Sequence, residues 1–159
     1  MKIKEVHDII IEKYPYYETL NKKLIQDAAI SKYYPSHPVV KAKHSDYQTS
    51  SDSIKCILSF ISKLIPREYT SQVVESWFAI YDKEEFTLTH RHRPASFGFV
   101  YFIQCPKGSS PLVFSTSGKR IKAEEGKVVI FPGNVYHHVP KNKCNGRIVL
   151  SGNIIHKQE

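Results

Sequence analysis

His90 and His92 stand one residue apart in His90-Arg91-His92-Arg93, and two more imidazoles follow at His137 and His138. On a β-strand, side chains alternate between faces, so residues two apart point the same way. Both histidines of the first pair would then project inward and both arginines outward. Two inward imidazoles are expensive unless something uses them, and a divalent metal ion is the commonest use. A basic edge strand with its histidines in solvent is the alternative. The second signal is the stretch from Gly126 to Pro140: an apolar strand, a Pro132-Gly133 turn, and a return strand that opens on histidine. It brings a third imidazole across a barrel. His137 and His138 point to opposite faces, so only one can join the pair, and the other belongs on the surface. Arg147 follows ten residues after His137.

The elements that must position these groups are strands. From Val73 onward the apolar period is two, giving Val73–Tyr81, Phe86–Arg93, Phe97–Gln104, Pro111–Ser115, Arg120–Lys122, Lys127–Phe131, Tyr136–Pro140 and Arg147–Ile155. Their connections are rich in Gly, Pro, Ser and Asn. Short strands in succession without intervening helix predict a sandwich or jelly roll and exclude an α/β sheet.

The first half of the chain reads as helix and loop. Ile3, Val6, Ile9 and Ile10 predict a helix over 2–13 that ends before Pro15, and Leu20, Leu24, Ile25 and Ala28 predict another over 16–30. Residues 31–52 form a long polar loop, expected to cover the mouth of the site. His37 and His44 fall within it, without a partner at ligand spacing, as surface residues. Ser51 then caps the best helix in the sequence, whose stripe runs Ile54, Ile57, Leu58, Ile61, Leu64 and Ile65 before Pro66 stops it. The expected fold is mainly β with N-terminal helices: a single domain over 1–159, with 1–70 as helical support and loop and 71–159 as a jelly-roll core.

Composition narrows the classes. A chain of 159 residues with 41% hydrophobic and 24% charged residues fits one soluble globular domain. The N-terminus is interrupted by charge every few residues and has no apolar run of signal-peptide or membrane-spanning length, so no membrane role and a cytoplasmic address are expected. Cys56, Cys105 and Cys144 are odd in number and far apart, and read as reduced thiols. The net charge of +8 admits a nucleic-acid or ribosome-associated target, but the basic residues come in scattered pairs, as on a solvated surface.

Five pieces in order carry a family resemblance: Trp77-Phe-Ala-Ile-Tyr81 before the histidine pair, Ser96-Phe-Gly-Phe-Val-Tyr101-Phe102 after it, Leu112-Val-Phe114, Gly126 to His137, and Arg147-Ile-Val-Leu-Ser-Gly-Asn153. Together they span about residues 72–155. This stretch resembles the iron(II)- and 2-oxoglutarate-dependent oxygenases, in the small prolyl-hydroxylase-like branch common in bacteria and phages. The resemblance implies a double-stranded β-helix core and a dioxygenase that hydroxylates a protein or peptide side chain such as proline. Its cofactors would be Fe(II) and 2-oxoglutarate, with ascorbate as an accessory reductant. It makes His90 the first metal ligand and His137 the distal one, because His137-His138-Val139 matches the family's H-x-V. Arg147 becomes the residue that grips the far carboxylate of 2-oxoglutarate, a role suited to a bidentate guanidinium. Tyr81 and Ser151 become hydrogen-bond helpers to the cosubstrate. Two departures stand out. His92 occupies the position of the usual carboxylate ligand, with Asp82 and Glu85 the nearest acids that could substitute. Phe102 stands where many relatives carry a second tyrosine.

Two rival classes share the residues. A cupin-type metal enzyme would use His90, His92 and His137 on iron, manganese or zinc without 2-oxoglutarate, leaving Arg147 incidental. A non-enzymatic basic domain that binds nucleic acid would hold no stoichiometric metal and would bind in a strongly salt-dependent way.

Overall fold

The fold, a computed structural model, describes residues 1–47, 50–66 and 70–157. Its elements run β1 (Ile10–Lys13), α1 (Tyr17–Ile30), β2 (Val40–Lys41), β3 (Lys43–His44), α2 (Asp52–Leu64), β4 (Thr70–Tyr81), β5 (Phe86–His90), β6 (Phe97–Gln104), β7 (Leu112–Phe114), β8 (Lys119–Ile121), β9 (Lys127–Pro132), β10 (His137–Val139) and β11 (Arg147–Lys157). The alternating pattern after Val73 thus yields the strands β4 to β11 without a helix between them. They form two antiparallel sheets, ordered β1-β9-β6-β11-β4-β3 and β2-β5-β10-β7-β8.

Two cores follow from the two faces of the larger sheet. Its outer face sets Phe78, Phe99, Tyr101 and Leu150 against Leu20 and Leu24 of α1 and Ile54, Ile57 and Ile61 of α2. Its inner face sets Ala79, Val100, Phe102, Phe131 and Val149 against Leu112, Phe114 and Val139 of the smaller sheet. β6 is buried on both faces, which is why its sequence is a continuous apolar run. Ser51 caps α2 as the sequence predicts: its Oγ accepts from the Ile54 amide at 3.1 Å and donates to Asp27 at the end of α1.

Three expectations change. The predicted helix over 2–13 does not form. Residues 10–13 are instead an edge strand, with Ile10 opposite Ile130 and Lys13 opposite Lys127. A run of three β-branched residues, Ile9 to Ile11, disfavours helix, and the unpaired edge of β9 offers it a ladder. Residues 31–52 are not a structureless loop. β2 pairs with β5 and β3 with β4, so one short segment closes an edge of both sheets; residues 48 and 49 of it lie outside the described ones. The third change concerns β5, which stops at His90, so His92 lies in the turn beyond the strand. Among the described residues no helix is long and apolar enough to cross a membrane.

Candidate metal centre

β10 lies between β5 and β7 and places His137 directly opposite His90. Both rings enter the space between the sheets. His92 reaches the same space by a different route from strand alternation. Its amide donates to the Gly133 carbonyl at 2.8 Å, its carbonyl accepts from the Ala95 amide, and the Gly133 amide donates to the Ser96 carbonyl. The turn after β5 is thereby clamped onto the turn between β9 and β10. A Cβ on Gly133 would overlap the Ala95 carbonyl oxygen, so the clamp requires glycine.

One ring nitrogen from each of His90, His92 and His137 lies within 4.8 Å of the others. The opposite nitrogens are all engaged. His90 Nδ1 donates to the Leu88 carbonyl at 2.8 Å, His137 Nδ1 to the Val135 carbonyl at 3.0 Å, and His92 Nδ1 to Asn153 Oδ1 at 2.7 Å. Because each acceptor is a carbonyl oxygen, each Nδ1 must carry the proton, and each Nε2 keeps a lone pair. That is the tautomer a metal ligand needs, fixed by second-sphere hydrogen bonds. Burial lowers all three pKa values, that of His92 to about 4, with the neighbouring imidazoles adding to the effect at His92 and His137. The rings are therefore neutral and competent to coordinate at neutral pH.

His138 points the other way and accepts or donates through Nδ1 to Ser115 Oγ at 2.7 Å. Among the described residues no acid lines the cavity. Asp82 Oδ1 accepts from the Gly146 amide and Glu85 Oε2 from the Asp82 amide, so both carboxylates close turns and neither completes the triad.

Arg147 enters the same cavity from the start of β11, opposite Tyr81 on β4. Its side chain is 1% exposed. Nε donates to the Ser110 carbonyl at 2.9 Å, and the guanidinium carbon lies 4.6 Å from the Tyr81 ring centre and 5.4 Å from that of Phe102. Nη1 is buried without a hydrogen-bond partner. Burial lowers the guanidinium's pKa, and neighbouring Tyr81 offsets part of that effect. A buried cation without an acid is costly in an isolated chain. The missing acceptor is what an anionic ligand would supply. Tyr81, Ser151 and Val149 share the cavity wall, and the Tyr81 hydroxyl is bonded to Thr87 Oγ1 at 2.6 Å.

His44 is not a surface residue, contrary to its sequence assignment, and His37 is half-buried. His44 is 2% exposed and lies between His37, at 4.3 Å, and Trp77, at 5.3 Å. Trp77 in turn lies 5.9 Å from His92. No spacing signal links these residues, because stacking joins three distant segments. Burial also holds His44 at a pKa of about 4. The unfolded chain therefore protonates first as pH falls. The contribution of a neutral His44 to stability is complete above about 6.5, the ordinary histidine value, and is lost progressively toward about 4. The Tm of the metal-free protein is expected to fall between neutral pH and pH ~5, and to fall less steeply in His44→Phe. Thermal melts across that range, with equal slopes for the two proteins, would contradict this.

No protein-family model matches the sequence, and no curated protein matches it. Solved structures do match. A prolyl-4-hydroxylase from Pseudomonas putida superposes with a TM-score of 0.74 at 16% identity, over 95% of this chain and 94% of that one. The collagen prolyl hydroxylase of Paramecium bursaria Chlorella virus-1, in complex with 2-oxoglutarate, gives 0.68 at 14% identity, over 91% and 94%. A Trichoplax adhaerens prolyl hydroxylase, bound to a peptide of the hypoxia inducible factor oxygen degradation domain, gives 0.70 at 11% identity, over 91% and 82%. The chain shares the jelly-roll fold of these structures. Within it, the coverage on both sides extends the likeness over the N-terminal helices as well as the strands.

Proposed function

We propose that the chain is an Fe(II)- and 2-oxoglutarate-dependent hydroxylase acting on a protein side chain, with proline as the first candidate. The observation that carries this reading is the pairing within one cavity of three neutral imidazoles and a buried guanidinium whose Nη1 lacks an acceptor. The donor set fits a divalent first-row metal, since imidazole suits iron. His90, His92 and His137 would hold it. Arg147 would grip the far carboxylate of 2-oxoglutarate, and Tyr81 and Ser151 would line the cosubstrate.

Iron held there by His90, His92 and His137 would supply the oxidative decarboxylation of 2-oxoglutarate and the transfer of oxygen to a C–H bond. The protein does the rest. Val100, Leu112, Val139 and Val149 line the cavity with apolar surface and exclude water. Arg147, clamped through Nε and packed on two rings, is held in one orientation for a carboxylate. Three neutral ligands leave the ion's two positive charges uncompensated by the protein, which favours a dianionic cosubstrate. The peptide-bound Trichoplax neighbour supports a peptide substrate here.

The all-histidine set also suits a metal enzyme that does not use 2-oxoglutarate, but that reading leaves the buried Arg147 without a purpose. The two separate in one assay. Fe(II)-loaded protein with 2-oxoglutarate, oxygen and a proline-containing peptide is expected to form succinate and a peptide heavier by one oxygen atom. Full iron loading with no succinate, with or without peptide, would sink the proposal.

A further inference from the structure

We infer that Asn153, held in orientation by Glu75, is a positioning residue that fixes His92 in the metal-binding tautomer. The inference rests on the triad being a metal centre. It concerns the one ligand of the three whose Nδ1 bond depends on a side chain. His90 and His137 donate Nδ1–H to backbone carbonyls, which can only accept. His92 donates instead to the amide oxygen of Asn153. An amide can present either an acceptor or a donor, and its orientation follows from its other contacts.

Glu75 decides that orientation. Its Oε2 accepts from Asn153 Nδ2 at 2.7 Å. A carboxylate cannot donate, so Nδ2 must face Glu75 and Oδ1 must face His92. With the amide reversed, Nδ2 would meet His92 Nδ1, the proton would move to Nε2, and His92 could not coordinate.

The backbone builds this arrangement deliberately. Asn153 on β11 lies opposite Glu75 on β4 and Gly98 on β6. Gly98 leaves open the space that the imidazole fills: a Cβ there would stand 2.7 Å from His92 Nδ1 and 2.6 Å from Phe131 Cε2. Three neighbouring strands therefore present an acid, an amide and an empty site in a row.

The test uses the full chain with two readouts. The first, on metal-free protein, is the His92 tautomer from its ring nitrogen-15 shifts. The second is affinity for Co(II), a spectroscopic stand-in that oxygen does not consume. Asn153→Leu is expected to shift His92 toward the Nε2–H form and to weaken Co(II) by about 10- to 100-fold. The double variant Glu75→Gln with Asn153→Asp reverses the bond between the two residues but keeps an oxygen acceptor facing His92 Nδ1, and is expected to restore both readouts. Wild-type tautomer and Co(II) affinity in Asn153→Leu would overturn the inference. If Asn153→Leu does not fold, the double variant decides: a folded double variant with an Nε2–H His92 overturns it equally. Wild-type protein that ignores Co(II) while its His92 tautomer still follows Asn153 would instead refute the metal centre.

Discussion

Arg147→Met is expected to weaken 2-oxoglutarate binding by at least about 30-fold without destabilising the ligand-free protein. Truncating one partner of a buried, charged hydrogen-bonded pair costs about 2–5 kcal/mol of binding. That range corresponds to affinity weaker by roughly 30-fold to several thousand-fold. The second half of the prediction distinguishes it from ordinary damage to a core. Arg147 is fully buried, no acid among the described residues lines its cavity, and Nη1 is unpartnered, so the Ser110 bond and the two rings offset only part of its desolvation cost in the ligand-free protein. Replacing buried charge by an apolar side chain of similar volume is often neutral or stabilising. Methionine keeps the packing against Tyr81 and Phe102 and gives up the bond to the Ser110 carbonyl. Thermal melts with and without 2-oxoglutarate check both halves. The wild type should gain Tm on adding the ligand, whereas Arg147→Met should start no lower and gain nothing. A variant that melts far lower, or that keeps the ligand-induced gain, would remove Arg147 from the site.

The second large effect concerns adjacent histidines of opposite orientation. His137→Ala is expected to weaken metal binding by more than about 100-fold, the upper range for merely second-sphere losses. His138→Ala should leave it unchanged, because that ring is hydrogen-bonded to Ser115 outside the triad. His137 also packs between Phe131, at 4.5 Å, and His90, at 4.3 Å, so its truncation will cost some stability. The comparison is accordingly made on metal content and affinity of folded protein. Equal metal binding by the two variants would rule out the triad.

The strands after Val73 were legible because a half-buried sheet imposes a period of two, and turn residues mark its corners. The triad was legible for a less secure reason. The H-x-H spacing does put His90 and His92 in one cavity, but strand alternation is not why, since β5 ends at His90 and backbone bonds to Gly133 turn His92 inward. Those bonds join residues some forty positions apart, and no local pattern encodes them. The misreading of residues 2–13 has the opposite cause. Their apolar spacing is helical, but a free edge on β9 and three β-branched residues outweigh it. His44, Trp77 and Asn153 acquire their places only when β3, β4 and β11 are side by side. Burial of His44 and the Glu75–Asn153–His92 chain are properties of register, which a single sequence does not display.

The most direct measurement is an anaerobic titration of 2-oxoglutarate into Fe(II)-loaded protein, followed by visible absorbance. Three imidazoles and a guanidinium in one cavity predict a weak charge-transfer band that saturates at one equivalent and is missing in Arg147→Met. Protein that holds iron but develops no band, or that develops the same band without Arg147, would contradict the account.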